Sequence, residues 1–271
     1  MNVVYKHEPF GYQGTIPIFS IPNDYTDNYE RISLDHLKSL ERNGTNPFIP
    51  EELWLQYEDS TIKLIRKYSK PAHMILDVGV GLGRLLSHFN ELQRFGMDIS
   101  FSYLDIARSK QIEVCYALVE DMPYQKGIFD IVVCTDVLEH VIELGSCIEK
   151  VFAVLKEEGT LIVRVPYLED LSWYRSSDCP YQYTHVRTFD DRSLQSLFEG
   201  MFKCEIVETV KAGYDAASIN RLKFKKFIPD RIKWRLPLWL GKVKPLHEPL
   251  YSLLLRMLYD SFVINLVIKK R

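Results

Sequence analysis

Three glycines in five positions, Gly79, Gly81 and Gly83, follow the apolar run Ile75-Leu76-Asp77-Val78, and helical spacing resumes at Arg84-Leu85-Leu86. Glycine loses more backbone entropy on folding than any other residue, so this density suits a turn whose backbone must approach something closely. An ordinary tight strand-to-helix turn is the plain alternative, and the residues downstream decide between the two. Asp98 lies about 20 residues past the first glycine, near the end of the run Arg94-Phe95-Gly96-Met97-Asp98-Ile99. At that separation a βαβ unit sets a carboxylate where both ribose hydroxyls of a nucleoside can donate to it. The chemistry on offer is nucleoside binding, against the bland reading of Asp98 as a solvated loop acid. Two histidines could move a proton near neutral pH: His140, early in a helix after the fourth strand, and His185, on a long loop with Trp173, Tyr174, Tyr181, Tyr183 and Arg187. Each serves equally well as a structural tie, and no single general base stands out.

The elements that must position these residues alternate in type. A helix is predicted from Pro50 to Tyr68, with Glu51 and Glu52 in its first turn, broken by Pro71. Strand Met74–Val78 precedes the glycine turn, and a helix from about Arg84 to Leu92 follows it. A second strand ends at Asp98, a helix Tyr103–Lys110 leads to a third strand Glu113–Leu118, and Phe129–Cys134 makes the fourth. A helix through Ile148, Val151, Phe152 and Leu155 ends at Glu157-Glu158-Gly159, and Thr160–Val165 is the fifth strand. Five βα repeats in order predict a doubly wound parallel sheet, whose carboxyl-end loops form the ligand crevice. Residues 1–49, rich in Pro, Tyr and Asn, show little periodicity beyond a short helix Ser33–Leu40 and read as a wrapped lead-in or cap.

Residues 50 to about 210 resemble the class I S-adenosylmethionine-dependent methyltransferases, particularly the small-molecule branch with ubiquinone-biosynthesis-like motifs. The matching pieces are Asp77 through Gly83, Gly96-Met97-Asp98-Ile99, Glu120-Asp121-Met122-Pro123-Tyr124, and Phe129-Asp130 through Val137-Leu138-Glu139-His140-Val141. Leu155 through Thr160 and His185-Val186-Arg187-Thr188-Phe189 follow in family order. The resemblance implies a Rossmann-like, seven-stranded, mostly parallel sheet with an antiparallel last strand. Arg192–Phe198 fits the family's last helix and Phe202–Glu208 its sixth strand, while the seventh is placed at the C-terminus, Phe262–Lys269. Residues 211–261 then become a helical insertion between strands six and seven of a domain covering 50–271.

By resemblance, Gly79, Gly81 and Gly83 admit the methionine part of S-adenosylmethionine, and Asp77 acts on its ammonium group directly or through water. Asp98 takes the ribose hydroxyls, Ile99 packs on adenine, and Glu120, Asp121 and Met122 edge the ring. Relatives often have an acid two residues before Glu120, where this chain has Leu118. Cys134, Thr135 and Asp136 line the methionine and the reacting centre, Tyr183 and Arg187 are expected to touch the acceptor, and His185 or His140 is the candidate base. Methyl transfer from a sulfonium needs alignment above all, and calls for no metal or covalent nucleophile. The implied activity is transfer to a small molecule, most naturally O-methylation of a sugar, glycan precursor or lipid-like acceptor. The alternatives are a nicotinamide-dependent oxidoreductase and a non-catalytic scaffold that binds S-adenosylmethionine. The first is disfavoured because the third glycine of GxGxxG falls on Arg84.

A formal net charge of −2 gives no global attraction to nucleic acid or anionic lipid. Five cysteines without CxxC spacing suggest neither a zinc site nor a disulfide framework. The N-terminus lacks the basic and apolar regions of a signal peptide, and no apolar run nears the roughly 20 residues that span a bilayer. The expectation is a cytoplasmic protein. Between Lys211 and Asp260, however, eleven Lys and Arg face four Asp and Glu, interleaved with Phe224, Phe227, Trp234, Trp239 and the run Leu250–Leu258. Such a segment suits three roles: peripheral contact with an anionic membrane, a hold for a phosphorylated or lipid-linked substrate, or packing as a lid or homodimer interface. Nucleic acid is a poor fit, since strand four ends in Cys-Thr-Asp-Val without an Asn-Pro-Pro-Tyr type of motif.

Overall fold

Ile75, Leu76 and Val78 are all fully buried, as are Ile131, Val132 and Val133, the unbroken apolar runs expected of parallel strands covered on both faces. The structure is a computed structural model that describes residues 4–214, 224, 228–233, 235–244 and 246–270. Its strands are β1 (Gly11–Gln13), β2 (Ile16–Ile18), β3 (Met74–Val78), β4 (Gln93–Asp98), β5 (Glu113–Tyr116), β6 (Phe129–Thr135), β7 (Leu155–Pro166), β8 (Glu205–Ala212) and β9 (Val263–Lys269). They form one nine-stranded sheet in the order β1-β2-β5-β4-β3-β6-β7-β9-β8. β3 through β7 are mutually parallel, and β9 runs antiparallel between β7 and β8. The chain runs outward from β3 to β4 and β5, then returns to build β6 and β7 on the other side. The ends of β3, β4 and β6 therefore meet at the point where strand order reverses, which is where such sheets bind ligands.

The doubly wound sheet with an antiparallel last strand and a helical insertion before it matches the sequence reading, and the lead-in adds two strands. β1 and β2 form a hairpin whose Ile18 pairs with Tyr116 of β5. The short helix predicted at Ser33–Leu40 is instead α1 (Asp24–Asn43), with a reciprocal capping box between Asn23 and Thr26 and a left-handed Gly44 at its end. Its buried residues are Thr26, Asn28, Ser33 and His36, so its inward face is polar and hydrophobic periodicity could not mark it.

Other boundaries also move. α2 (Glu51–Tyr68) is where the sequence places it. The helix expected from Arg84 to Leu92 is a single 3₁₀ turn, Leu86–His88. Leu85, Leu86, Phe89 and Leu92 are buried at helix-like spacing, yet the glycine turn takes up the start of the short crossover from β3 to β4 and leaves no room for regular turns. After α3 (Phe101–Ser109), α4 (Leu144–Val154) ends before Leu155, which already pairs with Phe129 in the sheet. His140 lies in a turn ahead of α4, not in a helix. α5 (Asp191–Gln195) continues into a π turn, Ser196–Met201. β8 starts at Glu205, later than the predicted Phe202, and reaches Ala212. The insertion carries α6 (Asp230–Lys233), α7 (Leu236–Val243) and α8 (Glu248–Leu258). Phe227 and Trp234 lie outside the described residues. Among the described residues no helix is long and apolar enough to cross a membrane.

Candidate functional site

The glycine turn at the tip of β3 is left-handed at all three glycines, with φ of 78°, 51° and 65° at Gly79, Gly81 and Gly83. A Cβ at Gly79 would collide with Val137, and one at Gly83 would lie 2.7 Å from Ile112 Cδ1. These two glycines make close packing feasible. Gly81 would meet only Tyr103, at 3.9 Å, so its face of the loop is open. The turn is anchored from behind by Arg84, whose guanidinium reaches Glu58 at 2.8 Å and Glu51 at 3.2 Å and stacks on Trp54 at 3.8 Å.

Two acids face this turn. Asp98 Oδ2 accepts from the N–H of Gly81 at 2.8 Å, while Oδ1 accepts from Ile99 at 2.7 Å and Ser100 at 3.0 Å. Burial lifts its pKa to about 6 even though three N–H groups favour the anion. Asp77 is buried, and its Oδ1 has no hydrogen-bond partner among the described residues. Burial raises the pKa of this carboxyl well above the usual range, opposed by Arg164 and reinforced by Asp98 and Asp136. An orphaned buried acid beside an open glycine loop fits a ligand that brings a cationic donor.

The remaining predicted residues divide. Asp136, at φ 56°, pairs with the buried Arg164 through contacts of 2.5 and 3.2 Å, and Thr135 is half-buried next to it. Cys134 points away from the crevice into the core among Leu138, Ile148, Val151 and Phe198, which removes its side chain from the site. Met122 is likewise a core residue. Ile99 and Glu120 are half-buried. Asp121 accepts from Ser20 Oγ at 2.7 Å, and the same Oγ accepts from the N–H of Leu118 at 2.8 Å. The lead-in thus brings a hydroxyl to the position where relatives often carry an acid.

α1 and the loop after β7 close over this region. The Asn28 amide donates to Tyr183 O at 2.8 Å, its oxygen accepts from Gln182 N at 3.0 Å, and Arg31 donates to Pro180 O at 2.7 Å. Tyr183 packs edge-on against Tyr25 with ring centroids 5.2 Å apart. Arg187 gives its guanidinium to three carbonyls of the turn after β6: Leu138 at 2.7 Å, Val141 at 2.5 Å and Ile142 at 3.1 Å. It is a tie within the fold, contrary to the substrate contact expected of it.

The histidines do come together. Their rings meet edge to face, 4.4 Å apart. His185 Nδ1 is 2.5 Å from Glu169 Oε2, Tyr174 OH donates to Glu169 Oε1 at 2.9 Å, and Tyr29 OH is 2.9 Å from His140 Nδ1. Burial, joined by the neighbouring His185, holds the His140 pKa well below its usual value. The turn carrying His140 begins at Val137, the residue that fills the space over Gly79, so His140 lies one turn from the glycine loop. An imidazole oriented by a carboxylate can take a hydroxyl proton.

Sequence reading missed Glu169, Tyr29, Ser20 and the buried Glu139. Glu139 lies inside the Val137–Val141 motif beside His140. The others carried no spacing signal, because each acts across an irregular segment or a helix face without apolar periodicity.

Residues 76–163 match the family described as "Methyltransferase domain". An uncharacterized protein of Methanocaldococcus jannaschii is 29% identical over 143 residues, covering 52% of this chain and 59% of that protein. A ubiquinone biosynthesis O-methyltransferase of Glaesserella parasuis is 35% identical over 102 residues, covering 33% of this chain and 43% of the relative. The chain thus spans about half the length of the curated relatives it matches. Magnesium protoporphyrin IX methyltransferase from Synechocystis, solved with bound S-adenosylhomocysteine, shares the fold with a TM-score of 0.57 at 15% identity, covering 91% of this chain and 98% of that one.

Proposed function

We infer that this protein is a class I S-adenosylmethionine-dependent methyltransferase that moves a methyl group to a hydroxyl of a small-molecule acceptor, a reading supported by the match of residues 76–163 to the methyltransferase-domain family. The observation that carries the reading is the orphaned, buried Asp77 carboxyl next to a left-handed glycine turn that is itself bonded to Asp98. Those residues fit S-adenosylmethionine: Asp77 for the ammonium group, the Gly79–Gly81 backbone for the methionine part, Asp98 for the ribose hydroxyls and Ile99 for one face of adenine. The cofactor, when bound, supplies a methyl group already attached to its leaving group. The chain's own residues then have to exclude water, align the acceptor and remove its proton.

Oxygen is favoured as the methylated atom by the His185–Glu169 pair, which suits proton removal from a hydroxyl, and by relatives that are O-methyltransferases. A sugar, a glycan precursor or a lipid-like molecule is the proposed acceptor. The basic insertion 211–261 and the cap 1–49 supply its surroundings, with the protein in the cytoplasm or at the membrane periphery. Calorimetry with S-adenosylmethionine and S-adenosylhomocysteine tests the first half of this reading. Binding of NAD with neither of these ligands taken up would sink it. Mass spectrometry of the product labelled from methyl-labelled cofactor in fractionated cell extract tests the second half.

A further inference from the structure

Glu139, His140 and His185 each offer one ligand atom, and these atoms lie within 4.8 Å of one another. Glu139 is fully buried, and neither carboxylate oxygen has a hydrogen-bond partner among the described residues. A carboxylate in that state is normally neutralised by a proton, a cationic partner or a metal ion. Arg164, the buried cation of the same region, already gives its N–H groups to Asp136 and Thr61.

The two rings are also held as metal ligands usually are. Glu169 engages Nδ1 of His185 and the Tyr29 hydroxyl engages Nδ1 of His140, which leaves Nε2 of each ring as the candidate donor. The His140 ring also gives a hydrogen bond to the Thr184 backbone, a bond that a metal ion on the same nitrogen would replace. A carboxylate on the far nitrogen of a ligating histidine fixes its tautomer and orientation and raises its basicity. Glu139 and His140 are fixed by their turn, and Val186 N donates to Glu139 O at 3.0 Å, which ties the loop carrying His185 to that same turn.

We propose that Glu139, His140 and His185 form a binding site for a divalent transition-metal ion of the zinc type. Zinc bonds of about 2.0–2.2 Å would draw the three donor atoms together. Two imidazoles and one carboxylate leave a fourth position open. On the methyltransferase reading, which this step rests on, that position takes the acceptor hydroxyl, and the ion, with His185 as its ligand, takes the place of a free His185 imidazole in promoting loss of the hydroxyl proton. The bound hydroxyl gives its proton to water, an oxygen lone pair forms the new O–C bond, and the C–S bond breaks with its electrons remaining on sulfur. The acceptor class this favours is an alcohol or phenol able to reach the metal with its oxygen.

The test uses the full chain, stripped with a chelator, then titrated with ZnCl₂ and separately with CoCl₂, with S-adenosylhomocysteine binding measured in parallel. One Zn²⁺ per chain is expected, together with the visible absorption of four- or five-coordinate Co²⁺. Glu139→Gln and His185→Ala should each abolish the Co²⁺ spectrum, and Glu169→Gln should weaken zinc by about 10- to 100-fold, with circular dichroism and S-adenosylhomocysteine affinity retained. Absence of metal uptake by the wild-type chain, or uptake unaltered in both ligand variants, overturns the site. Should His185→Ala lose its fold, Glu169→Gln still decides, since it leaves all three ligands in place. Loss of S-adenosylhomocysteine binding with zinc uptake intact would count against the cofactor reading alone.

Discussion

The N–H of Gly81 donates to Asp98 Oδ2 over 2.8 Å, so the carboxylate expected to hold the ribose also fixes the glycine turn that faces the methionine part. Ile99 and Ser100 donate to its other oxygen. Asp98→Ala removes the acceptor of three backbone N–H groups as well as the ligand contact. Binding of S-adenosylhomocysteine, measured by calorimetry, is expected to weaken by about 1–3 kcal/mol, the usual range for charge-assisted hydrogen bonds. An unchanged affinity would refute the ribose assignment.

The same carboxyl gives a pH signature. Burial raises its pKa to about 6 from an ordinary 3.8. Between those values the folded chain keeps a proton that the unfolded chain has lost, so the contribution of Asp98 to folding stability falls as pH rises through the window. The ionised form is the better acceptor for ribose hydroxyls, so cofactor affinity rises over the same window. Asp98→Asn should remove both slopes. Urea unfolding and S-adenosylhomocysteine titrations of the two proteins from pH 4 to 7 make the comparison, and parallel curves would exclude Asp98 as the titrating group.

Arg187 offers a different kind of test, because its three carbonyl partners belong to the turn that carries His140. Arg187→Ala leaves the carbonyls of the buried Leu138 and Val141 without this donor, at a cost of about 1–3 kcal/mol in urea unfolding. Arg187→Lys recovers only part, since an ammonium lacks the planar fork that reaches several acceptors. A full-stability Arg187→Ala protein with impaired acceptor use would restore the substrate role read from the sequence.

What the sequence could and could not reveal follows from how each residue is held. β3 was legible because a strand covered on both faces needs an apolar run, β9 because its β-branched run ending in lysines resembles the family's last strand, and Asp98 because strand length and the crossover fix its distance from the glycines. α1 was opaque because it packs inward through Thr26, Asn28, Ser33 and His36, whose hydrogen bonds carry no periodic apolar signal. Leu85, Leu86, Phe89 and Leu92 misled in the opposite sense, since burial in a short crossover imitates a helical stripe. The Glu169–His185 pair spans 16 residues of mostly irregular loop, and Ser20 meets Asp121 across 101. No spacing rule reaches either contact, because only the closed chain brings those segments together.

The insertion is built to be separable. Phe262 N donates to Gly213 O at 2.9 Å, so the ends of β8 and β9 are already joined at the base of the segment. Its helices α7 and α8 pack on each other through Leu240 and Leu255, with Tyr259 just after α8 in the same cluster, and the segment leaves Leu238, Trp239, Leu246 and Leu253 exposed. Replacing residues 215–255 with a short glycine-rich link is expected to retain S-adenosylhomocysteine binding and to abolish methylation of the acceptor fraction. Equal loss of cofactor binding would make the segment part of the core.

Glu169 and His185 should behave as one unit. With the 2.5 Å contact removed in Glu169→Gln, the His185 ring loses the anion that fixes its orientation and raises the basicity of its far nitrogen. Methyl transfer to the acceptor fraction is expected to fall by about 10²-fold or more in that variant and in His185→Ala, and the double variant should be no slower than His185→Ala, since residues acting together are not additive. The labelled-methyl assay reads this directly, and S-adenosylhomocysteine affinity should stay at the wild-type level in all three. A purely structural tie predicts the reverse: all three proteins would lose stability in urea while transfer per folded molecule remained intact. The two outcomes separate because the pair touches the turn that carries His140 through the ring contact of His185 with His140, and not the glycine loop that holds the cofactor.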